Sequence, residues 1–134
     1  MSEVVNNFRG LIVWQKSHEL TMEIYKLTSF FPSDEKFGLV SQMRRAAYSI
    51  PANIVEGHSR KSKKEFLQFL NIAKGSLEEL RYFIILCSDL HYIMEDDTKR
   101  LEKESSEVSK LLFGFTKSLL AGRSTLNASK MELK

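Results

Sequence analysis

The 134-residue sequence is poor in residues that interrupt or cross-link a chain, with two prolines, six glycines and one cysteine. The single cysteine, Cys87, excludes a disulfide within the chain. Because prolines and glycines are so few, long stretches remain uninterrupted, which favours helices over many short strands. Hydrophobic residues make up 43% and charged residues 28% of the chain. That balance is ordinary for a globular domain and argues against wholesale disorder.

Long apolar runs are also missing. The longest is Phe83–Cys87, or Tyr82–Cys87 with tyrosine counted, whereas a membrane-spanning helix needs about 20 apolar residues. The beginning of the sequence carries acidic Glu3 and no basic stretch followed by an apolar one. We therefore expect no secretory signal and no membrane partner, and a cytoplasmic location.

Four segments carry apolar residues at the three- and four-residue spacing that is typical of helices. They lie at about 8–30, 35–57, 62–92 and 97–120. Four long helices joined by short loops predict an all-α fold, an antiparallel up-down-up-down four-helix bundle. A chain of this length fits one domain, so residues 1–134 are predicted to form a single domain with an ordered core at about 8–121. The remainder, 122–134, is expected to be a frayed tail.

Pro51 interrupts the second segment, because proline cannot donate a backbone hydrogen bond. Either one helix kinks there or two short helices meet at Ser49–Pro51. We favour the kinked helix, since helical spacing resumes at once and Ser49 can cap the second half. Asn53 and Glu56 are expected to satisfy the backbone that the proline opens. Gly57 marks either the helix end or a close packing point.

The ends of the later segments carry capping signals. Ser62 followed by Glu65 matches a capping box at the start of the third helix, and Asp96-Asp97-Thr98 predicts a capped, acidic start for the fourth. The third segment is apolar on more than one face, so it needs cover on more than one side. A second subunit is one candidate for that cover.

No residue pattern in the sequence is typical of an enzyme or a metal site. His18, His58 and His91 lie on three different segments, without a cysteine or carboxylate at zinc-binding spacing. The Glu-x-x-His pairs of di-iron bundles are absent. Cys87 lies among apolar residues and is expected to be buried rather than nucleophilic. We therefore expect no catalytic residue, no metal and no cofactor.

Basic residues are concentrated in one part of the chain. The range Lys36–Lys64 contains seven basic residues and one acidic residue, a net charge of +6, whereas Glu65–Lys110 has a net charge of −4. Such a concentration is typical either of a solvated loop or of a surface that contacts phosphates. The densest stretch lies between the second and third segments and contains Arg60, Lys61, Lys63 and Lys64.

Arg44 and Arg45, on the second segment, are further candidates for nucleic-acid contacts. Their favoured role is structural, through ion pairs with acidic residues across the bundle or at a subunit interface. The candidate partners within the chain are Glu56, Glu78 and Glu79.

Residues Gln42–Gly57 read QMRRAAYSIPANIVEG. This run, with Pro51, Asn53, Glu56 and Gly57 as its structural positions, closely resembles the signature of bacterial four-helix-bundle proteins known as 23S rRNA-intervening-sequence proteins. The resemblance continues in 66–80 and, upstream, in Leu11–Lys16 and Phe31-Pro32, and it covers roughly residues 8–120. Val55 stands where alanine is usual, and His58-Ser59 replaces an aromatic-glycine pair.

The resemblance implies a four-helix bundle that assembles into a homopentamer. The family is also similar to the accessory variability proteins of diversity-generating retroelements, which are basic pentameric barrels that bind nucleic acid and a reverse transcriptase. By analogy we expect a non-enzymatic oligomer that binds RNA or DNA through the basic junction. The alternative is a structural or adaptor homo-oligomer whose partner is another protein.

Overall fold

The computed structural model describes residues 7–122, and this part of the chain is helical, without a β-strand. A short 3-10 turn at Phe8–Gly10 precedes the first long helix, and a 3-10 turn and a π-helical turn, Ser33–Glu35 and Lys36–Val40, precede the second. The four long helices are α1 (Ile12–Thr28), α2 (Ser41–His58), α3 (Lys63–Asp89) and α4 (Glu95–Leu120). The predicted all-α four-helix fold is therefore confirmed. The predicted tail lies, apart from Gly122, outside the described residues.

Each helix packs on its neighbours in the chain, and α1 also packs on α4. Short connections make successive helices antiparallel, so the α1–α4 contact closes an up-down-up-down bundle. None of the helices within residues 7–122 combines the length and the apolar character that crossing a bilayer requires. The largest fully buried side chains of the core are Leu11, Leu20, Ile24, Met43, Ile50, Ile54, Leu70, Leu77, Leu80, Ile84, Leu101 and Phe115.

The buried face of α1 combines apolar residues with small hydroxyl residues. Val13, Leu20 and Ile24 are buried, whereas Met22 and Tyr25 are 59% and 39% exposed. Small hydroxyl residues complete the buried face, and each donates a hydrogen bond to a carbonyl of α1. These residues are Ser17, Thr21 and Thr28. Periodicity of apolar residues does not find them, because their burial depends on local hydrogen bonds.

Local hydrogen bonds set both ends of α3. The Ser62 hydroxyl accepts from the backbone N–H of Glu65 at 3.1 Å, which is one of the two hydrogen bonds of the predicted capping box. At the other end His91 has a positive φ of 63°, and the N–H of Tyr92 donates to the Cys87 carbonyl at 2.9 Å. This is a Schellman motif with histidine in the left-handed position that glycine usually occupies. It ends α3 slightly before the predicted boundary.

The start of α4 differs from the prediction. Its capping position is Met94, whose side chain makes no capping hydrogen bond. Asp96 and Asp97 lie inside the first turn together with Glu95, where their charges still suit the positive end of the helix dipole. The predicted acidic start is therefore confirmed, but the predicted cap at these residues is wrong.

The helix α2 runs through Pro51 without a break. Of the two alternatives, one helix through Pro51 is confirmed and two short helices are wrong, while the kink stays a prediction. Ser49 lies inside this helix and does not cap a second half. Pro51 has no N–H to donate to the carbonyl four residues earlier, that of Ala47. The buried hydroxyl of Thr21 in α1 lies 3.1 Å from this oxygen and 2.8 Å from the Ser17 carbonyl, so its one hydrogen is shared between the two acceptors. A side chain of α1 thus satisfies the backbone group that the proline leaves free.

The residues predicted to compensate for the proline act elsewhere. The Asn53 amide donates to the Ser49 carbonyl at 2.7 Å and to the Ser49 hydroxyl at 3.0 Å. Ser76 of α3 donates to the same hydroxyl at 2.8 Å, so this cluster links α2 to α3. Glu56 forms an ion pair with Arg60 at 2.7 Å. The predicted role of Glu56 is therefore wrong, and Asn53 bonds a neighbouring carbonyl rather than the one left free.

Replacing Thr21 with valine should destabilise the fold by about 1–2 kcal/mol, because the side chain keeps its shape but the Ala47 carbonyl loses its donor. In a Pro51→Ala background the new backbone N–H can bond that carbonyl, so the same substitution should cost clearly less. Urea unfolding of wild type, both single variants and the double variant measures the coupling. If Thr21→Val lowered the free energy of unfolding equally in both backgrounds, Thr21 would not be the donor to the Ala47 carbonyl.

Candidate nucleic-acid interface

A close approach at Gly57 holds the junction between α2 and α3. A Cβ atom at this position would lie 2.8 Å from Phe66 Cδ1 and 2.9 Å from Phe69 Cβ, well inside the roughly 3.5–4.0 Å at which carbon atoms pack. The helix continues past Gly57 to His58. Of the two alternatives left open by the sequence, Gly57 is therefore the close packing point. The missing side chain lets the first turns of α3 lie directly on the last turn of α2.

Arg60 contacts both helices of this junction. Its guanidinium pairs with Glu56 at 2.7 Å, and its Cζ lies 4.9 Å from the centroid of the Phe69 ring. Arginine stacks on aromatic faces in this way because the ring face is negative. The charge of Arg60 is therefore balanced by a neighbour within the chain, although the side chain remains at the surface.

The three lysines of the junction are exposed. Lys61 lies in the bend before α3, and Lys63 and Lys64 lie in its first turn. Within residues 7–122 none of them forms an ion pair. His58 adds no permanent charge, because it packs edge-on against Phe66 with ring centroids 6.0 Å apart and burial lowers its pKa.

Arg44 and Arg45 lie far from this junction, about 20 Å from the end of α2 at His58 for a rise of 1.5 Å per residue. Arg44 Nε donates to the Thr28 hydroxyl at 2.9 Å, and its guanidinium lies 4.5 Å from the centroid of the Tyr25 ring. Arg45 pairs with Glu79 at 3.2 Å, across to α3. The structure therefore places both arginines in contacts between helices, and it does not bring them to the basic junction.

A groove between α3 and α4 extends the basic junction along the bundle. Its volume is about 1080 Å³. Four lysines line it and define what we call the lysine groove: Lys63, Lys64, Lys74 and Lys110. None of the described side chains that line it is acidic.

The sequence contains a signal for only half of this groove. Lys64, Gln68, Asn71 and Lys74 follow the three- and four-residue spacing of one helix face. Lys110 lies on α4, and its place opposite α3 becomes evident only when the helices are assembled. The sequence-based set of contacts named neither Lys74, which this spacing could have found, nor Lys110, which it could not.

The lysine groove runs over the core and has an exposed rim. The leucines below it, Leu70, Leu77 and Leu112, are 1%, 0% and 3% exposed. At the rim, Phe113 and Leu120 are 69% and 64% exposed. Neutral hydrogen-bonding side chains also line it, namely Gln68, Asn71, Ser109 and Thr116.

A depression between α1 and α4 has the opposite charge. Four carboxylates outnumber the two cations, Lys16 and Arg100, that also line it, and they define what we call the acidic surface: Glu19, Glu23, Glu104 and Glu107. Arg100 pairs there with Glu23 at 2.7 Å. Burial, and after it the charge of Glu23, raise the pKa of Glu104, as expected where carboxylates crowd together. The two sides of α4 thus carry opposite charges.

The described residues hold no arrangement suited to metal binding or thiol chemistry. No group of three or more His, Cys, Asp or Glu side chains among residues 7–122 could hold a metal ion. Burial, and after it the charge of Glu35, raise the pKa of the Cys87 thiol to about 12. This thiol therefore stays protonated at neutral pH, unlike a nucleophilic cysteine. His18 is exposed and stacks on Trp14 with ring centroids 5.0 Å apart.

The fold and the junction define a small four-helix-bundle protein with one strongly basic side. The sequence matches the family of 23S rRNA-intervening sequence proteins over residues 9–114, and the chain belongs to this family. The predicted family is thereby confirmed.

The structure is similar to the crystal structure of a protein of unknown function from the S23 ribosomal protein family of Bacteroides thetaiotaomicron. The two have a TM-score of 0.73 and 32% sequence identity, over 79% of this chain and 96% of the other. None of the curated proteins compared with the chain matches it.

Gly57→Ala should destabilise the protein by about 1–3 kcal/mol, because the added methyl overlaps Phe66 and the rigidly placed Cβ of Phe69. Gly114→Ala on α4 is the matched control, since a Cβ there meets nothing within 4 Å. It should stabilise the fold by up to about 1 kcal/mol through helix propensity alone. Urea unfolding at one protein concentration compares the two, and a G57A variant as stable as G114A would contradict the close packing.

Proposed function

We propose that this protein is a non-enzymatic, oligomeric nucleic-acid-binding protein that contacts phosphates through the α2–α3 junction and the lysine groove. The observation that carries the proposal is the groove itself, where four lysines lie without an acidic side chain among the described lining residues. Lys61 extends this surface at its junction end. Lysines without carboxylate partners can replace the counterions of a phosphate backbone, and release of those counterions drives binding.

The contacts that we propose differ from the set expected from sequence. Arg60 is balanced by Glu56, and Arg44 and Arg45 hold helices together, so their primary role is in the fold. Because lysine offers a flexible point charge rather than a planar fork, phosphate contact with little base readout is the expected mode. The proposed phosphate contacts are Lys61, Lys63, Lys64, Lys74 and Lys110.

Self-association is the second part of the proposal. One side of α3 exposes Ile72, Tyr82 and Ile85 at 51%, 56% and 49%. Gly75 lies on the same side, and a Cβ there would meet nothing within 4 Å. An exposed apolar helix face favours packing against another chain. The family resemblance suggests a homopentamer, which would repeat the lysine groove around a ring and raise avidity without new contacts. The cytoplasm is the proposed location.

The exposed side of α3 also supports a second candidate function, that of a structural or adaptor homo-oligomer with a protein partner. In that case the exposed apolar residues serve assembly or the partner, and the lysines keep the protein soluble. The two functions differ in their dependence on salt, because only phosphate binding releases condensed counterions.

Replacing Lys61, Lys63 and Lys64 with alanine should weaken binding of structured RNA and duplex DNA. The slope of log affinity against log salt should fall by about 1 for each lysine that contacts a phosphate. Fluorescence anisotropy across a salt series measures both quantities. The charge-matched control replaces three exposed lysines elsewhere, Lys16, Lys99 and Lys103, and should leave both nearly unchanged.

Light scattering on the same samples reports the oligomer mass. Wild type that binds neither ligand at low salt would overturn the nucleic-acid proposal and favour the adaptor. If both triple variants lost affinity equally, net charge rather than the junction would determine binding, and this result would also contradict the nucleic-acid proposal. If the variant without Lys61, Lys63 and Lys64 lost both binding and oligomer mass, the result would show that the junction is a subunit contact instead.

A further inference from the structure

Phe113 is an exposed aromatic ring on the rim of the lysine groove. It lies on α4, is 69% exposed and lines the groove together with Lys110. Within residues 7–122 it makes no contact with another aromatic ring or with a cation. Such a ring, beside lysines that have no acidic partner, offers a flat apolar face where a phosphate chain would pass.

We infer that the nucleic acid held in the lysine groove is single-stranded, with an unpaired base stacked on Phe113. The inference rests on the proposed function and names the substrate class for the same site. Proteins that bind single strands combine a positively charged groove with aromatic rings on which bases stack. A duplex hides the faces of its bases, so it could use the lysines but would leave the Phe113 ring without a partner.

The lining of the groove fits the groups that a single strand exposes. The lysines suit phosphates, the Phe113 ring suits the face of a base, and neutral side chains can bond base edges. Those neutral side chains lie on both helices, Gln68 and Asn71 on α3 and Ser109 and Thr116 on α4. A carboxylate would repel the strand, and none lies among the described lining residues.

The length of the groove suits a short stretch of strand. From Lys63 to Lys74 the α3 helix rises about 16 Å at 1.5 Å per residue. That distance corresponds to about five stacked nucleotides at about 3.4 Å each. Lysines at both ends can therefore hold phosphates while the bases between them reach the rim of α4.

A protein helix with acidic flanks is a weaker match to this groove. Helix docking relies on apolar anchors that fill deep pockets. Here the leucines under the groove, Leu70, Leu77 and Leu112, are already covered by the bundle at 3% exposure or less. The accessible apolar groups are on the rim, as a stacking surface requires.

The test compares oligo(dT) long enough to span the groove with a mixed-sequence duplex of equal length, by fluorescence anisotropy on the full chain. Phe113→Ala should weaken binding of the single strand about 5- to 100-fold, the loss expected for one stacked base. Binding of the duplex should stay within about twofold, since phosphate contacts are unchanged.

Two further variants serve as controls. Phe113→Trp should restore binding of the single strand, and the fluorescence of the new indole should be quenched when the strand is added. Phe37→Ala removes another exposed ring, 88% exposed, from the connection before α2. It should bind both ligands as the wild type does.

The outcomes separate this inference from the proposed function. If F113A binds oligo(dT) as the wild type does while the lysine variant does not, the inference fails and the proposed function stands. If the wild type binds neither ligand, both fail. A fall in oligomer mass in F113A would make Phe113 a subunit contact, which overturns the inference. Tighter, Phe113-dependent binding of a synthetic acidic amphipathic helix would overturn it in favour of a protein ligand.

Discussion

The position of the candidate site depends on the contact between Gly57 and the first turns of α3. Because no side chain separates the helices there, Phe66 and Phe69 lie directly on α2. Arg60 can then cover Phe69 while it pairs with Glu56. The turn that follows leaves its lysines exposed, and α3 runs from it alongside α4. The basic junction and the lysine groove are thus one surface, fixed by a single place of close packing.

Three features could be predicted because each depends on residues close together in sequence. They are the four long helices, the continuation of α2 through Pro51 and the burial of Cys87. The cap at Ser62 and the position of Pro51 in α2 are of this kind. The partner of the Ala47 carbonyl could not be predicted, because the donor is Thr21 on another helix. The same limit applies to the site, where Lys64 and Lys74 share one helix face but Lys110 joins them only through the packing of α4 on α3.

The separation of charge around α4 determines which side of the protein a nucleic acid would approach in the proposed function. The lysine groove lies on one side of this helix and the acidic surface on the other. A nucleic acid approaching the protein would be attracted to the first and repelled by the second, over distances of about 10 Å at 0.1 M salt. In the proposed function, this polarity would orient a ligand whose binding requires few specific contacts. The same polarity predicts strong salt dependence and weak sequence preference.

The most direct measurement is photocrosslinking of the protein to a single strand that carries 4-thiouridine, with the modified peptides identified by mass spectrometry. Adducts should fall within 61–74 and 110–120, which contain the exposed lysines and Phe113, and should be absent from the peptides of the acidic surface. Adducts spread evenly over the chain, or concentrated on α1 and the first half of α4, would contradict the assignment of the lysine groove as the nucleic-acid interface.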